Sequence, residues 1–225
     1  MKIYKVKKTV VQKQPLPKIF IVIAFDICSS SNIIEGLTLT DNVRRFEHFL
    51  ATIQKWLIEE RPSTSLDIYK FTGDGWILLL PDNIEGNAIV SFLAGLCTIF
   101  KKEFSKQIEP YLDNVPSITG ITIGIDKGPL IEMLLLQREY VGRAINVACR
   151  LQSAVGDKGG PPSYKALISN QVYNQYFRGS CKFQAYKAER SLKNILDGKR
   201  YGCHKIDFMQ RKMILPIGKK LIRRK

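Results

Sequence analysis

The strongest constraint on the fold is a short run without any polar side chain. Residues 19–25 are all apolar, and most are β-branched or aromatic, which is typical of a central strand that is covered on both faces. The run stops at Asp26, so it also brings a carboxylate to one end of the expected sheet. Neither this run nor any other approaches the roughly 18 apolar residues of a membrane span, and we expect no transmembrane helix.

The pattern after this strand predicts alternating helices and strands. Apolar residues at helical spacing indicate helices over 41–60 and 87–109, and a third helix that begins near Gly142. Residues 65–71 and 76–80 are expected to form a β-hairpin around Thr72-Gly73-Asp74-Gly75. A strand is expected over 117–125, and a turn with a further strand within 128–140. These 225 residues therefore fit one α/β domain that begins with a strand.

Cysteine and histidine usage narrows the kind of metal site that the chain can hold. The five cysteines never form a CxxC pair, which argues against a disulfide framework and a zinc site and favours reduced thiols. With only two histidines, a catalytic metal must depend on carboxylates, which prefer hard cations such as Mg²⁺ or Mn²⁺. The N-terminus lacks the apolar stretch of a signal peptide, so we expect a cytoplasmic protein.

A formal net charge of +15 is concentrated at the two ends of the chain. We expect a basic N-terminal extension over 1–17, a folded domain over 18–208 and a basic C-terminal tail over 209–225. Such a charge attracts polyanions in general, whether nucleotide, nucleic acid or acidic membrane. A solvated extension without its own ligand is the commoner role for such tails.

Two carboxylates stand at points where they could meet. Asp26 ends the first strand and is followed by Cys28, Ser29, Ser30 and Ser31, whose backbone N–H groups could bind phosphate before a helix. Asp74 lies at the tip of the expected hairpin. Each aspartate alone fits an ordinary turn, but together they could bind two divalent cations roughly 4 Å apart.

The third motif is Glu139-Tyr140-Val141-Gly142-Arg143-Ala144-Ile145-Asn146-Val147-Ala148-Cys149-Arg150-Leu151-Gln152. In a helix, Asn146 and Arg150 are four positions apart and therefore lie along one face. An amide beside a guanidinium can orient a ribose and neutralise charge on a phosphorus under attack. Two ordinary surface residues would show the same spacing.

In order and rough spacing, these three motifs resemble the signatures of class III adenylate and guanylate cyclases. The resemblance covers about residues 18–208 and implies an α+β fold with a ferredoxin-like core, an antiparallel-rich central sheet with helices packed on it, and a β-hairpin extension. It also implies a head-to-tail homodimer with shared active sites. In one subunit, it assigns metal binding to Asp26, Asp74 and the Ile27 carbonyl. In the other subunit, it assigns transition-state stabilisation to Asn146 and Arg150, and base contacts to Lys70 and Glu139. It also assigns phosphate binding to Lys193.

Two departures from the family pattern concern the phosphate contacts. Ser30-Ser31 replaces the usual phenylalanine-threonine pair, and Asn194 rather than glycine follows Lys193. Within the family, the chain resembles the small bacterial Pycsar cyclases of antiphage defence, which make cyclic pyrimidine nucleotides for a separate cyclic-nucleotide-binding effector.

Hydrogen-bond types alone leave the base open, because Lys70 and Glu139 could bind adenine, cytosine or uracil. The resemblance favours UTP, with CTP next and ATP as the alternative. A non-catalytic regulatory module and a nucleic-acid-binding protein are the competing classes. Metal-dependent nucleotide turnover would distinguish the enzyme from both.

Overall fold

The computed structural model describes residues 16–156, 161–180 and 182–211. The expected extension over 1–17 and the tail over 209–225 therefore lie almost entirely outside the described residues. In chain order the elements are β1 (Lys18–Ile27), α1 (Ser30–Leu39), α2 (Arg44–Glu59), α3 (Arg61–Thr64), β2 (Asp67–Phe71), β3 (Gly75–Pro81), α4 (Gly86–Gln107), β4 (Ile121–Leu134), β5 (Arg138–Val141), α5 (Arg143–Ser153), β6 (Lys165–Ser169), α6 (Asn170–Val172), β7 (Phe183–Arg190) and β8 (Tyr201–Arg211).

One sheet organises all of these elements. Its strand order is β2-β3-β1-β4-β6-β8-β7, and β5 pairs with β4 outside this path. The β4–β6 pair is parallel, whereas every other pair in the sheet is antiparallel. The expected antiparallel-rich α+β sheet is therefore confirmed, with β1 near its centre.

Alternation along β1 divides the core between the two faces of this sheet. Ile21, Ile23 and Phe25 belong to the larger cluster, together with buried residues of α1, α2 and α4. Val22 and Ala24 belong to a smaller cluster that includes residues of α5. Asp26 follows the second set in the alternation, so its side chain shares the sheet face on which α5 packs.

The observed elements differ from the sequence-based predictions in two places. Residues 30–39 form a separate helix α1, whose apolar pattern is reduced to the buried pair Ile33 and Leu37, too short a signal to separate from a loop. β4 continues through Gly128 and Pro129 for 14 residues and then pairs with β5. This pair is the expected β-hairpin extension, and Leu134, Leu135 and Leu136 are exposed at its tip.

Two expectations about chemistry and location can be compared with the described residues. None of the helices there combines the length and apolarity needed to cross a bilayer. Cys28, Cys97, Cys149 and Cys203 are free thiols, and three of them are buried. Cys181 lies outside the described residues. The four described cysteines therefore agree with the prediction of reduced, mostly buried thiols.

Candidate active site

The structure brings the two predicted carboxylates together at one end of the sheet. Asp26 is opposite Gly75 in the β1–β3 ladder, and Asp74 immediately precedes that position. The N–H of Ile27 donates to the carbonyl of Asp74 at 3.1 Å, and the turn is closed by Thr72 donating to Gly75 at 3.0 Å. The neighbouring antiparallel strands β1 and β3 therefore bring the side chains of Asp26 and Asp74 close together at this end of the sheet.

Gly75 makes this close approach possible. A Cβ at this position would lie 2.0 Å from the carbonyl oxygen of Phe25 and 2.9 Å from Oδ1 of Asp26. Both distances are shorter than nonbonded contact, so any larger residue would push β3 away from β1. The glycine after Asp74 thus serves the carboxylate pair as well as the turn.

The carboxyl groups of Asp26 and Asp74 are so close that ionising both is unfavourable. Burial, a hydrogen bond to the Asp74 side chain and the negative charge of Asp74 together raise the pKa of Asp26 from 3.8 to about 7. The Ser30 hydroxyl donates to Oδ2 of Asp74, which fixes the second carboxylate at the start of α1. A pair of this kind favours either a shared proton or a bound cation.

A stability measurement can test this electrostatic strain. Because the folded-state pKa of Asp26 is raised, its stabilising contribution is complete below about pH 3.8 and is lost as the pH rises through about 7. In metal-free buffer, Asp26→Asn should therefore increase the free energy of unfolding by on the order of 1 kcal/mol at pH 8, after allowance for solvent screening. Urea denaturation with a chelator, at pH 5 and pH 8, measures this gain.

The gain should be smaller at pH 5, where much of Asp26 is still protonated in the folded protein. Asp113→Asn, at an exposed position, is the matched control and should change little at either pH. An equal effect of Asp26→Asn at both pH values, or a loss of stability at pH 8, would contradict the proposed repulsion.

The segment after Asp26 offers fewer phosphate donors than the sequence predicted. The Cys28 N–H donates to the carbonyl of Gly120 at 2.8 Å, so this amide is already occupied. Ser29 adopts a left-handed conformation, and its hydroxyl donates to the carbonyl of Ile118 at 2.8 Å. The amides of Ser30 and Ser31 lie in the first turn of α1, where N–H groups have no partner within the helix.

The donor set fits hard divalent cations. Mg²⁺ commonly uses one or two protein carboxylates together with water and substrate phosphates, and Asp26 and Asp74 supply such a pair. Among the described residues there is no cluster of three or more potential ligand side chains from His, Cys, Asp and Glu. The carboxylates could therefore hold metal only with help from backbone, water or a phosphate ligand.

The predicted base-binding pair is also assembled within one chain. Nζ of Lys70 lies 3.6 Å from Oε2 of Glu139, although the two residues are 69 positions apart in the sequence. Tyr69 donates its hydroxyl to the same Oε2 at 2.5 Å, and Gln137 donates to Oε1 at 2.9 Å. The hydrogen bonds from Tyr69 and Gln137, and then the positive charge of Lys70, lower the pKa of Glu139.

Asn146 and Arg150 are both exposed on α5, whose opposite side packs on the sheet through Ala144, Val147 and Ala148. Cys149, next to Arg150, has its pKa raised mainly by burial, with a smaller contribution from the negative charge of Asp26. The second half of α5 therefore borders the carboxylate pair of its own chain, while Asn146 and Arg150 face outward.

Lys193 is exposed in the connection between β7 and β8. This connection is closed by Leu192 donating to the carbonyl of Gly198 at 2.7 Å. It contacts the beginning of α5, because Arg143 donates to the carbonyl of Leu196 at 3.4 Å. Leu192, next to Lys193, packs in one buried cluster with Val147 and Leu151 of α5, so Lys193 lies beside this helix.

Sequence reasoning missed two residues that belong to these surroundings. Tyr69 could be recognised only once β2 and β5 were known to be close. Lys165 is opposite Thr122 in the parallel β4–β6 pair, and Thr122 is opposite Asp26, so the three residues form one row across the sheet. Lys165 presently pairs with Asp207 at 3.6 Å. The Lys165 ammonium group therefore shares a sheet face with Asp26 and could contact an anionic group bound beside it.

Comparison with solved structures identifies the class of fold. No protein-family model matches the sequence. No curated protein matches it. Among solved structures, the adenylyl cyclase CyaB from P. aeruginosa is similar with a TM-score of 0.67 and 17% identity, over 86% of this chain and 96% of that one. The guanylyl cyclase Cya2 gives 0.63 and 14% identity, over 86% and 94%.

Adenylate cyclases from Trypanosoma brucei, described in their monomeric state, give a TM-score of 0.61 and 14% identity, over 85% of this chain and 91% of theirs. The chain therefore has the fold of class III nucleotidyl cyclase catalytic domains, as the three motifs predicted. The similarity spans most of this chain and nearly the whole of each of these structures.

Proposed function

We propose that this protein is a nucleotidyl cyclase that converts a nucleoside triphosphate to a 3′,5′-cyclic nucleotide and pyrophosphate. The observation that carries the proposal is the contact between Asp26 and Asp74, at the end of adjacent strands in a cyclase fold. A carboxylate pair with a raised pKa has little value for stability, whereas it suits the binding of cations beside a polyphosphate.

The carboxylates act by binding and placement. Asp26, Asp74 and the carbonyl of Ile27 would hold two divalent cations, Mn²⁺ or Mg²⁺. When bound, these cations would lower the pKa of the ribose 3′-hydroxyl and offset the charge of the phosphates. Ser30 would keep Asp74 oriented through its present hydrogen bond, and the amides of Ser30 and Ser31 would face the polyphosphate.

Asn146 and Arg150 would stabilise the reacting centre. The Asn146 amide would orient the ribose, and the Arg150 guanidinium would offset the charge that develops on the α-phosphate. The bond between the 3′-oxygen and the α-phosphorus forms while the bond from that phosphorus to pyrophosphate breaks, and the hydroxyl proton passes to solvent. Lys193 and Lys165 would contact the leaving phosphates.

We propose that the active unit is a homodimer in which each site uses both chains. Within one chain, Asn146 and Arg150 point away from the protein body, which leaves them available to a neighbour. The β4–β5 extension also exposes Leu134, Leu135 and Leu136, and apolar side chains clustered at a protruding tip are typical of an interface. A two-fold axis would then create two equivalent sites.

The base would be read by Lys70 and Glu139. Lys70 supplies a donor and Glu139 an acceptor, and Tyr69 and Gln137 hold the Glu139 carboxylate in place. The Lys70–Glu139 pair itself suits adenine, which makes an adenylate cyclase the second candidate. Glu139 is one methylene longer than the aspartate of typical adenylate cyclases, so it extends further and favours a smaller ring. With the resemblance to Pycsar cyclases, this favours UTP, then CTP.

Product analysis tests the activity and the base together. The full chain should be incubated with each ribonucleoside triphosphate and Mn²⁺, and the cyclic product identified by mass. We expect cyclic UMP as the main product, with cyclic CMP next and little turnover of purines. Cyclic AMP as the main product would overturn the pyrimidine assignment and leave the cyclase assignment standing.

The proposed biological role follows from the same resemblance. A cytoplasmic cyclase of this kind would make a second messenger during phage infection, and a separate effector with a cyclic-nucleotide-binding domain would read it. Absence of turnover with all four nucleotides, together with salt-sensitive binding of DNA or RNA, would instead favour the nucleic-acid-binding class.

A further inference from the structure

A polar cavity lies on the face of the sheet opposite to Asp26. It has a volume of about 670 Å³ and is bordered by β7, β8 and the chain after β6. His204 lines it from β8, where Ile206, two positions on, belongs to the larger core cluster. Because Asp26 is on the α5 side of the sheet, this cavity is separate from the proposed active site.

The wall of the cavity has an unusual backbone. Residues Tyr173–Phe177 form a π-helix, a conformation that is rare and often found at functional sites. It places Tyr173 parallel to the imidazole of His204, with ring centroids 3.6 Å apart. On β8, Gly202 allows the Asn170 side chain to pack closely against the strand, because a Cβ at position 202 would lie 2.4 Å from Nδ2 of Asn170. The cavity is therefore held by specific contacts.

The imidazole of His204 has an unmet hydrogen-bonding requirement. The residue is 7% exposed, and its Nδ1 is buried without a hydrogen-bond partner among the described residues. An unpaired polar atom in such a position costs stability. Because Nδ1 is enclosed by protein, His204 belongs to the wall of the cavity, where its ring can report on an anion bound nearby.

The charges around the cavity favour an anion. Arg178 and Lys187 both line it, both are exposed, and neither forms a salt bridge within the described part of the chain. Glu189 also lines it, but Arg200 already binds this carboxylate at 3.0 and 3.3 Å. Burial, and then the positive charge of Lys187, lower the pKa of His204. The uncompensated charge at this wall is therefore positive.

We propose that this cavity is a second, non-catalytic binding site for a small phosphorylated molecule, with Arg178 and Lys187 as its phosphate ligands and His204 in its wall. A phosphate offers several acceptor oxygens and up to two negative charges, which matches two cations better than a single carboxylate does. Asn170 and Asn174 add amide groups at the rim for the remainder of the ligand.

The chain has only two histidines, which permits a direct measurement on the full-length protein. Histidine-labelled protein would be titrated with inorganic phosphate at constant ionic strength, and the imidazole resonances followed by NMR. We expect a saturable shift of the His204 signal, while exposed His48 in α2 stays unchanged. His48→Gln assigns the two signals. No turnover is measured, so the result is independent of the cyclase assignment.

Variants and a second anion decide whether the site is the one described. Arg178→Gln and Lys187→Gln should each weaken phosphate binding about tenfold, as expected for loss of one charge-assisted hydrogen bond. Lys101→Gln, at an exposed position on α4, should not. Acetate should bind more weakly than phosphate. No saturable shift, equal shifts of both histidines, unchanged affinity in both cavity variants, or equal binding of acetate would each overturn the proposal.

Discussion

Replacing Asp74 with alanine is expected to reduce cyclase turnover by at least about 10³-fold, and Asp26→Ala should have an equal effect. Metal-ion catalysis contributes several kcal/mol, and each 1.36 kcal/mol corresponds to a factor of ten in rate. The two carboxylates contact each other, so neither variant retains the pair. Initial rates with the preferred nucleotide, measured over a wide range of Mn²⁺ concentrations, give the loss.

The controls separate lost metal binding from lost structure. Removing one carboxylate also removes a repulsion, so both variants should keep their circular dichroism spectrum and their resistance to urea. Asp113→Ala changes an exposed aspartate and should keep wild-type turnover. If either site variant kept substantial activity at low Mn²⁺ concentration, the metal assignment would be wrong; recovery only at saturating Mn²⁺ would support it, because a lost ligand weakens metal affinity.

The sequence was sufficient to place the two carboxylates of the proposed site, because their positions depend on local patterns. The apolar run before Asp26 predicts a central strand, and Gly73-Asp74-Gly75 predicts a tight turn. Adjacent antiparallel strands then bring the two aspartates together, which the β1–β3 register confirms. The fold class was implied by the resemblance of these two motifs and the α5 motif to class III cyclases, and similarity to solved cyclase domains confirms it.

Other parts of the site depend on contacts between distant segments, which no local pattern records. Tyr69 reaches Glu139 only because β2 and the β4–β5 extension lie side by side. Lys165 joins the row of Asp26 through the parallel β4–β6 pairing. The sequence also could not show that the Cys28 amide already has an acceptor. That acceptor is the carbonyl of Gly120, and four helices and two strands lie between the two residues in the sequence.

Mixing two inactive variants provides the strongest test of shared sites. Asp74→Ala lacks part of the metal site, whereas Asn146→Ala lacks the group that orients the ribose, and each homodimer should be inactive. In a heterodimer, the Asn146→Ala chain contributes its intact Asp74 and the Asp74→Ala chain its intact Asn146, so one of the two sites is complete.

Co-refolding equal amounts of the two chains should therefore restore about a quarter of wild-type activity, since half of the dimers are mixed and each has one working site. Different affinity tags on the two chains allow the heterodimer to be purified, and its activity should then approach about half of wild type.

Two variants that alter the same half of the site, Asp26→Ala and Asp74→Ala, are the matched control. Their mixture should stay inactive, because no heterodimer between them contains a complete metal pair in either chain. Both Asp74 and Asn146 are only partly buried or exposed, so neither change should prevent assembly. If purified Asp74→Ala/Asn146→Ala heterodimers were as inactive as the parent homodimers, each site would have to lie within a single chain.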